Sequence, residues 1–136
     1  MYIELVKYPD VFLRSVSKTV PFPLDDKTSR LIRFMTKAMY QNHGIGLAAI
    51  QVGYQLRMFV MDCSRSGDNS KVFINPEIVE KSDETLRDSE GCLSAPGKTG
   101  AWQGGGRRVL LRRRLQRDRR VPGRLAAVLA LPWLAG

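Results

Sequence analysis

Histidine occurs once in these 136 residues and cysteine only twice. Two thiols, Cys63 and Cys92, cannot build a disulfide framework. As a zinc pair they would be two ligands short of a four-coordinate site. No apolar run is long enough to span a bilayer: the longest, "LAAVLALPWLA" from Leu125 to Ala135, is also interrupted by Pro132. The opening "MYIELVKYPD" is acidic and aromatic early and lacks the apolar core of a signal peptide. No secretory leader and no membrane association are therefore expected, and a reducing cytoplasmic setting is.

Lysine is missing from one end of the chain altogether. Residues 1–100 carry 13 basic and 12 acidic side chains, whereas 101–136 carry nine arginines against the single Asp118. Nearly all of the net charge of +9 therefore resides in the tail. That tail also has no Ser, Thr, Asn, Glu, Ile, Phe, Tyr or His, and Arg, Leu, Ala and Gly supply 26 of its 36 residues. The abrupt switch in "GGGRRVLLRRRLQRDRR" fits a G/C-rich stretch translated out of frame, with a genuine basic tail as the alternative. The chain is accordingly divided into 1–100, which has the patterning of a folded unit, and 101–136, expected to be poorly ordered. Within the tail, "RRVLLRRRLQRDRR" is at most a basic amphipathic helix with little apolar face, and no packed element is expected there.

The first hundred residues alternate signals in an α+β order. "VPFPLDDKTSRLIRFMTKAMYQNHGIG" opens in an extended, proline-bearing lead and offers Asp25 or Asp26 as a helix N-cap. Leu31, Phe34, Met35, Ala38 and Met39 then recur at helical spacing, with His43 in the last turn and Gly44 as the stop. "QLRMFVMDC" and "KVFINPEIVE" are short β-rich runs on either side of the loop "SRSGDNS". Phe34, Tyr40, Phe59 and Phe73 suit core positions, and "SDETLRDSE" reads as a solvated strand or turn.

Two segments carry candidate chemistry. In "GIGLAAIQVG", Gly44 to Gly53, two glycines one residue apart permit close backbone approach, and Gln51 follows a pair of alanines that leave space for its amide. The glycines follow a helix rather than a strand, which excludes a dinucleotide fingerprint. In "EGCLSAPG", Glu90 to Gly97, Cys92 lies in a turn-forming context beside a carboxylate. Each segment alone has an ordinary structural explanation, a helix stop and a small buried thiol.

In this order and with strands between them, the two segments strongly resemble the peptide deformylase family, as does the opening "LVKYPDVFLRSVSKTV". The resemblance covers roughly residues 3–99, with Ile50 where the family usually has proline and Ala95 in place of a common valine. It implies an α+β fold of short strands around a helix. It also implies hydrolysis of the formyl group from the N-terminal methionine of nascent chains, with the ribosome as a possible associate. A divalent metal, Fe(II) or Zn, would be held by Cys92 and by two histidines of a third motif, H-E-x-x-H. By the same resemblance Gln51 and the Leu93 N–H donate to the oxyanion, while Gly44, Gly46 and Leu47 meet the substrate peptide. Glu90 is a supporting carboxylate.

The third motif is not within these residues. The tail holds neither histidine nor glutamate, and His43 matches no ligand position; it suits a cation near a helix C-terminus. One thiolate does not make a catalytic metal site of about three ligands. The metal is therefore expected not to be stably bound and the chain to be inactive, incomplete at its C-terminal side, with one apolar sheet face left uncovered. A reading of another class is a nonspecific RNA-binding module gripping phosphates through the stretch from Arg107 to Arg124.

Overall fold

The computed structural model of the chain describes residues 4–64, 66–86, 89–90, 93–94, 100–101, 106–112 and 128–130, with side chains over 4–64, 66–78 and 93–94. One helix, α1 (Asp26–Gln41), packs on a three-stranded antiparallel sheet of β1 (Gly46–Ala48), β2 (Met58–Met61) and β3 (Lys71–Ile74), ordered β1-β2-β3. Two further pairings follow along the chain. β4 (Glu77–Leu86) joins β7 (Gly106–Arg112) and β8 (Val128–Ala130), and β5 (Ser89–Glu90) joins β6 (Gly100–Ala101). The expected α+β class holds.

Asp25, rather than Asp26, caps α1: its Oδ1 accepts the Thr28 N–H at 2.7 Å. These bonds to Thr28 hold the Asp25 carboxyl below its ordinary pKa. The C-terminal end differs from the sequence expectation. α1 stops at Gln41, and His43, not Gly44, takes the left-handed conformation at φ 55°. The His43 N–H then donates to the Tyr40 carbonyl and the Gly44 N–H to the Met39 carbonyl. That is a Schellman closure with a histidine where glycine is the usual choice.

Thr28, Leu31, Met35, Ala38 and Met39 form the buried stripe of α1. Strand alternation sends Leu47, Met58, Val60 and Ile74 toward it, together with Val20, Ala49 and Val52. Ala48, Phe59, Met61 and Phe73 lie on the opposite face, where Phe59 and Phe73, directly paired across β2 and β3, stack with ring centroids 4.7 Å apart. Phe59 is 4% and Phe73 0% exposed, as their expected core positions require, so the apolar face expected to be left uncovered is not this one. Ile50 and Ile78 contribute to that cover.

A second correction concerns the arginine-rich segment. Residues 106–112, expected to be at most helical and unpacked, form a strand that pairs antiparallel with β4, with Glu77 opposite Arg112 and Ile78 opposite Leu111 in register. The run "RVLL" supplies β-compatible residues, and β4 offers a ten-residue edge on which to pair. Strands on either side of residue 100 are therefore hydrogen-bonded to each other.

The N-terminal run is stitched to this scaffold by main-chain bonds. Val6 N–H donates to Gln51, Tyr8 N–H to Ser94, Lys18 N–H to Gln55, and Arg57 N–H to Lys18. Val20 is held by a side chain: Asn75 Oδ1 accepts its N–H at 2.7 Å and Asn75 Nδ2 donates to its carbonyl at 2.9 Å. Asn75 is 3% exposed and left-handed at φ 47°, a conformation asparagine tolerates better than most residues, and it breaks the "KVFINPEIVE" run into β3 and β4. Asn75→Ala leaves two buried main-chain groups unpaired at roughly 1–3 kcal/mol each, so a loss of about 2–6 kcal/mol is expected in urea unfolding. A loss under about 0.5 kcal/mol would show that the clasp does not hold the N-terminal run.

Candidate functional site

The two chemistry-bearing segments meet. After Gly44 the chain enters β1, then turns through a 3-10 helix at Ala49–Val52 that closes on left-handed Gly53 at φ 83°. This turn folds Gln51 back over the end of β1, where its Oε1 accepts the Ala48 N–H at 2.9 Å. Its Nε2 donates to Ser94 Oγ at 3.1 Å, across 43 residues of sequence. The Ser94 carbonyl in turn accepts the Tyr8 N–H, and the Gln51 carbonyl the Val6 N–H, both at 2.7 Å. Two amides of one N-terminal strap, two residues apart, thus tie down both segments.

Gly44 and Gly46 differ in what requires them. A Cβ on Gly44 would come within 2.6 Å of Leu93 Cδ1, so its missing side chain is what lets the 93–94 turn close on the end of α1. A Cβ on Gly46 would meet only the Val60 carbonyl at 3.7 Å and Met61 Cβ at 4.0 Å, which is ordinary contact. Nor is Gly46 among the glycines of positive φ. Gly46 has no packing reason to be glycine. Its setting is an edge: β1 pairs with β2 alone among the described strands. The Asp62 N–H donates to the Ile45 carbonyl, making 45–62 a hydrogen-bonded pair. Alternation in an antiparallel ladder then turns the Gly46 amide and carbonyl away from β2.

Of the remaining candidates, Leu47 points its side chain into the core at 1% exposure, so only its backbone can face a ligand. Leu93 is half-buried and packs on the core cluster that contains Met39 and Leu47. Cys92 lies outside the described residues, and of Glu90 only the strand backbone is described. Cys63 is an exposed free thiol. His43 is exposed on a hollow with Tyr40, Ile45, Asp62 and Ser64.

The polar groups of that hollow are engaged in holding a loop. The buried Asp62 carboxylate accepts the Ser64 hydroxyl at 2.5 Å, the Ser64 N–H at 2.7 Å, the Asn69 N–H at 3.0 Å and the Tyr40 hydroxyl at 2.5 Å. These donors, the Ser64 hydroxyl first, hold the Asp62 carboxyl far below its ordinary range; the bond to Asp62 raises the Tyr40 hydroxyl. Neither residue was singled out from sequence for this role, since only folding brings Tyr40 beside Asp62. Ser94 was visible in "EGCLS", but nothing in the spacing pairs it with Gln51.

A sequence model of the polypeptide deformylase family matches residues 2–103. The peptide deformylase of Chromobacterium violaceum is 48% identical over 95 residues, spanning 70% of this chain and 56% of that protein. One from Finegoldia magna is 45% identical over 91 residues, 67% of this chain and 55% of that protein. Among solved structures, a peptide deformylase from Legionella pneumophila superposes with a TM-score of 0.74 at 34% identity, covering 83% of this chain and 65% of that one. The Thermotoga maritima peptide deformylase gives 0.70 at 33% identity, covering 83% and 74%. The chain belongs to the polypeptide deformylase family. It spans about half the length of the curated relatives it matches.

Two outcomes test this geometry. A folded-state carboxyl pKa below the unfolded value contributes stability that is complete above the unfolded value and is lost as pH falls through the folded one. The Tm gap between wild type and Asp62→Asn is therefore expected to be constant from neutrality down to about pH 5 and to narrow progressively as the pH falls from about 5 toward about 2. An unchanged gap would remove Asp62 from the acid response. Gly44→Val is expected to cost about 1–3 kcal/mol by overpacking against Leu93. Most of that loss should be recovered in the double variant with Leu93→Ala, and additive losses would show that the two residues do not touch.

Proposed function

We propose that this chain carries the peptide-recognition part of a deformylase, a hydrolase acting on the formyl group of N-terminal formyl-methionine in nascent chains, and that these 136 residues do not complete its hydrolytic centre. The observation that carries this reading is the Gln51 carboxamide, bridged to Ser94 at the end of an edge strand. An extended peptide would add to β1 through the outward-turned Gly46 amide and carbonyl, and the absence of a side chain there lets the two backbones approach. The Leu93 amide and the Gln51 carboxamide would then act as the two donors to the formyl oxygen as it becomes an oxyanion. Each such donor is typically worth about 2.7–4 kcal/mol in the transition state.

The divalent ion that the family resemblance implies would lower the pKa of a bound water. The donor set present does not fit it. Cys92 is one thiolate, and the sole imidazole, His43, sits exposed at the end of α1 on the hollow shared with Tyr40 and Asp62. Among the described residues no three His, Cys, Asp or Glu side chains gather as a metal-holding group. The family match ends at residue 103, close to where lysine disappears and arginine accumulates. That coincidence supports a change of reading frame there, and the coding DNA beyond the codon for Gly100 is expected to encode H-E-x-x-H in another frame.

The purified 136-residue chain is expected to bind a formyl-Met-Ala-Ser peptide. Supplied with Fe(II) or Zn(II), it is expected to hydrolyse that peptide no faster than its Cys92→Ala variant does. Turnover clearly above that variant would overturn the second half of the proposal. Equal affinity for the unformylated peptide would overturn the first.

A further inference from the structure

The reaction proposed above gives the buried Ser94 hydroxyl no part of its own. Ser94 is 3% exposed, yet its hydroxyl accepts the Gln51 Nε2–H at 3.1 Å. A buried hydroxyl in a turn adjoining the core is expensive unless partnered, and a carboxamide at the end of a strand has several rotamers open to it. Each group satisfies the other. The Gln51 oxygen is engaged by the Ala48 N–H, and the Ser94 contact helps to set which way the amide hydrogens of Gln51 are aimed.

Ser94 is itself held from two sides. Its carbonyl accepts the Tyr8 N–H, and its neighbour Leu93 abuts Gly44 with no space for a Cβ between them. The Val6 N–H fixes the Gln51 main chain from the same strap. The carboxamide and the Leu93 amide therefore belong to one clamped unit, in which the Ser94 side chain joins the two segments by a hydrogen bond. We infer that Ser94 is a positioning residue for the formyl-recognising donor pair: through its hydroxyl it aligns the Gln51 carboxamide with the Leu93 amide. This rests on the proposed peptide-recognition role, and it assigns selectivity for the formyl group, rather than general peptide affinity, to a hydroxyl that need not touch the substrate.

The test uses the full ¹⁵N-labelled chain as wild type, Ser94→Ala and Ser94→Thr. Two quantities are read by NMR titration: the Gln51 side-chain NH₂ resonances and the ratio of affinities for formyl-Met-Ala-Ser and Met-Ala-Ser. Ser94→Ala is expected to shift the Gln51 NH₂ pair and reduce the formyl preference about tenfold, the scale of one lost hydrogen bond, with affinity for the unformylated peptide unchanged. Ser94→Thr, which keeps the hydroxyl, is expected to restore the preference. A purely structural serine predicts an equal loss for both peptides, and that result overturns the inference. So does a Thr variant no better than Ala.

Should wild type show no formyl preference at all, the recognition role falls. The positioning claim then stands or falls on the NH₂ resonances alone, an unshifted pair in Ser94→Ala overturning it. Should Ser94→Ala not fold, the wild-type spectrum decides: a Gln51 NH₂ with the temperature coefficient of a water-exposed amide overturns the inference, and a protected one supports it.

Discussion

A single carboxamide joins the parts of this fold that matter for chemistry. Gln51 accepts from the strand that precedes it and donates to a turn 43 residues later, while the N-terminal strap grips the main chain on both sides of that link. None of these bonds is strong in isolation, since an intramolecular hydrogen bond contributes only about 0.5–1.5 kcal/mol net. Their effect comes from being made together among buried groups, where removing one partner leaves another unsatisfied. The packing of Leu93 on Gly44 supplies the apolar half of the same junction.

The helix and the three-stranded sheet exist to present that junction. α1 covers one face of β1-β2-β3 with Met35 and Met39, both fully buried, and its C-terminal closure delivers Gly44 directly into β1. The loop between β2 and β3 is gathered onto the Asp62 carboxylate, whose four donors leave it saturated. This separates two polar clusters that look alike in composition. One is closed on itself and structural, whereas the other lies at the end of β1, an edge among the described strands, where the proposed peptide would add.

Much of this architecture was legible in the residue pattern. Most apolar positions of α1, a cap at Asp25 or Asp26 and the loop at "SRSGDNS" follow from local periodicity and turn chemistry, which a short window of sequence contains. Burial of Leu31, Met35, Ala38 and Met39 agrees with that periodicity, whereas Phe34, expected on the same stripe, is only half-buried and outside it. The termination of α1 was placed too late because a left-handed histidine is unusual, and glycine is the residue a sequence pattern points to. The strand over 106–112 was missed because its charge dominated its local pattern, while strand formation depends on an edge elsewhere in the chain. The burial of Phe59 and Phe73 agrees with the core positions expected of them, although what covers that sheet face is not encoded in the strands that bear them.

By itself, the sequence determined the α+β order, the two motif segments and the poverty of imidazole donors, because composition and spacing are properties of the chain before it folds. Only the tertiary structure decided that Gly44 is glycine for Leu93 whereas Gly46 is glycine for no neighbour, and that Ser94 is the partner of Gln51. Contacts across 43 residues depend on where helix, strands and strap come to rest against one another, and no local pattern records that distance.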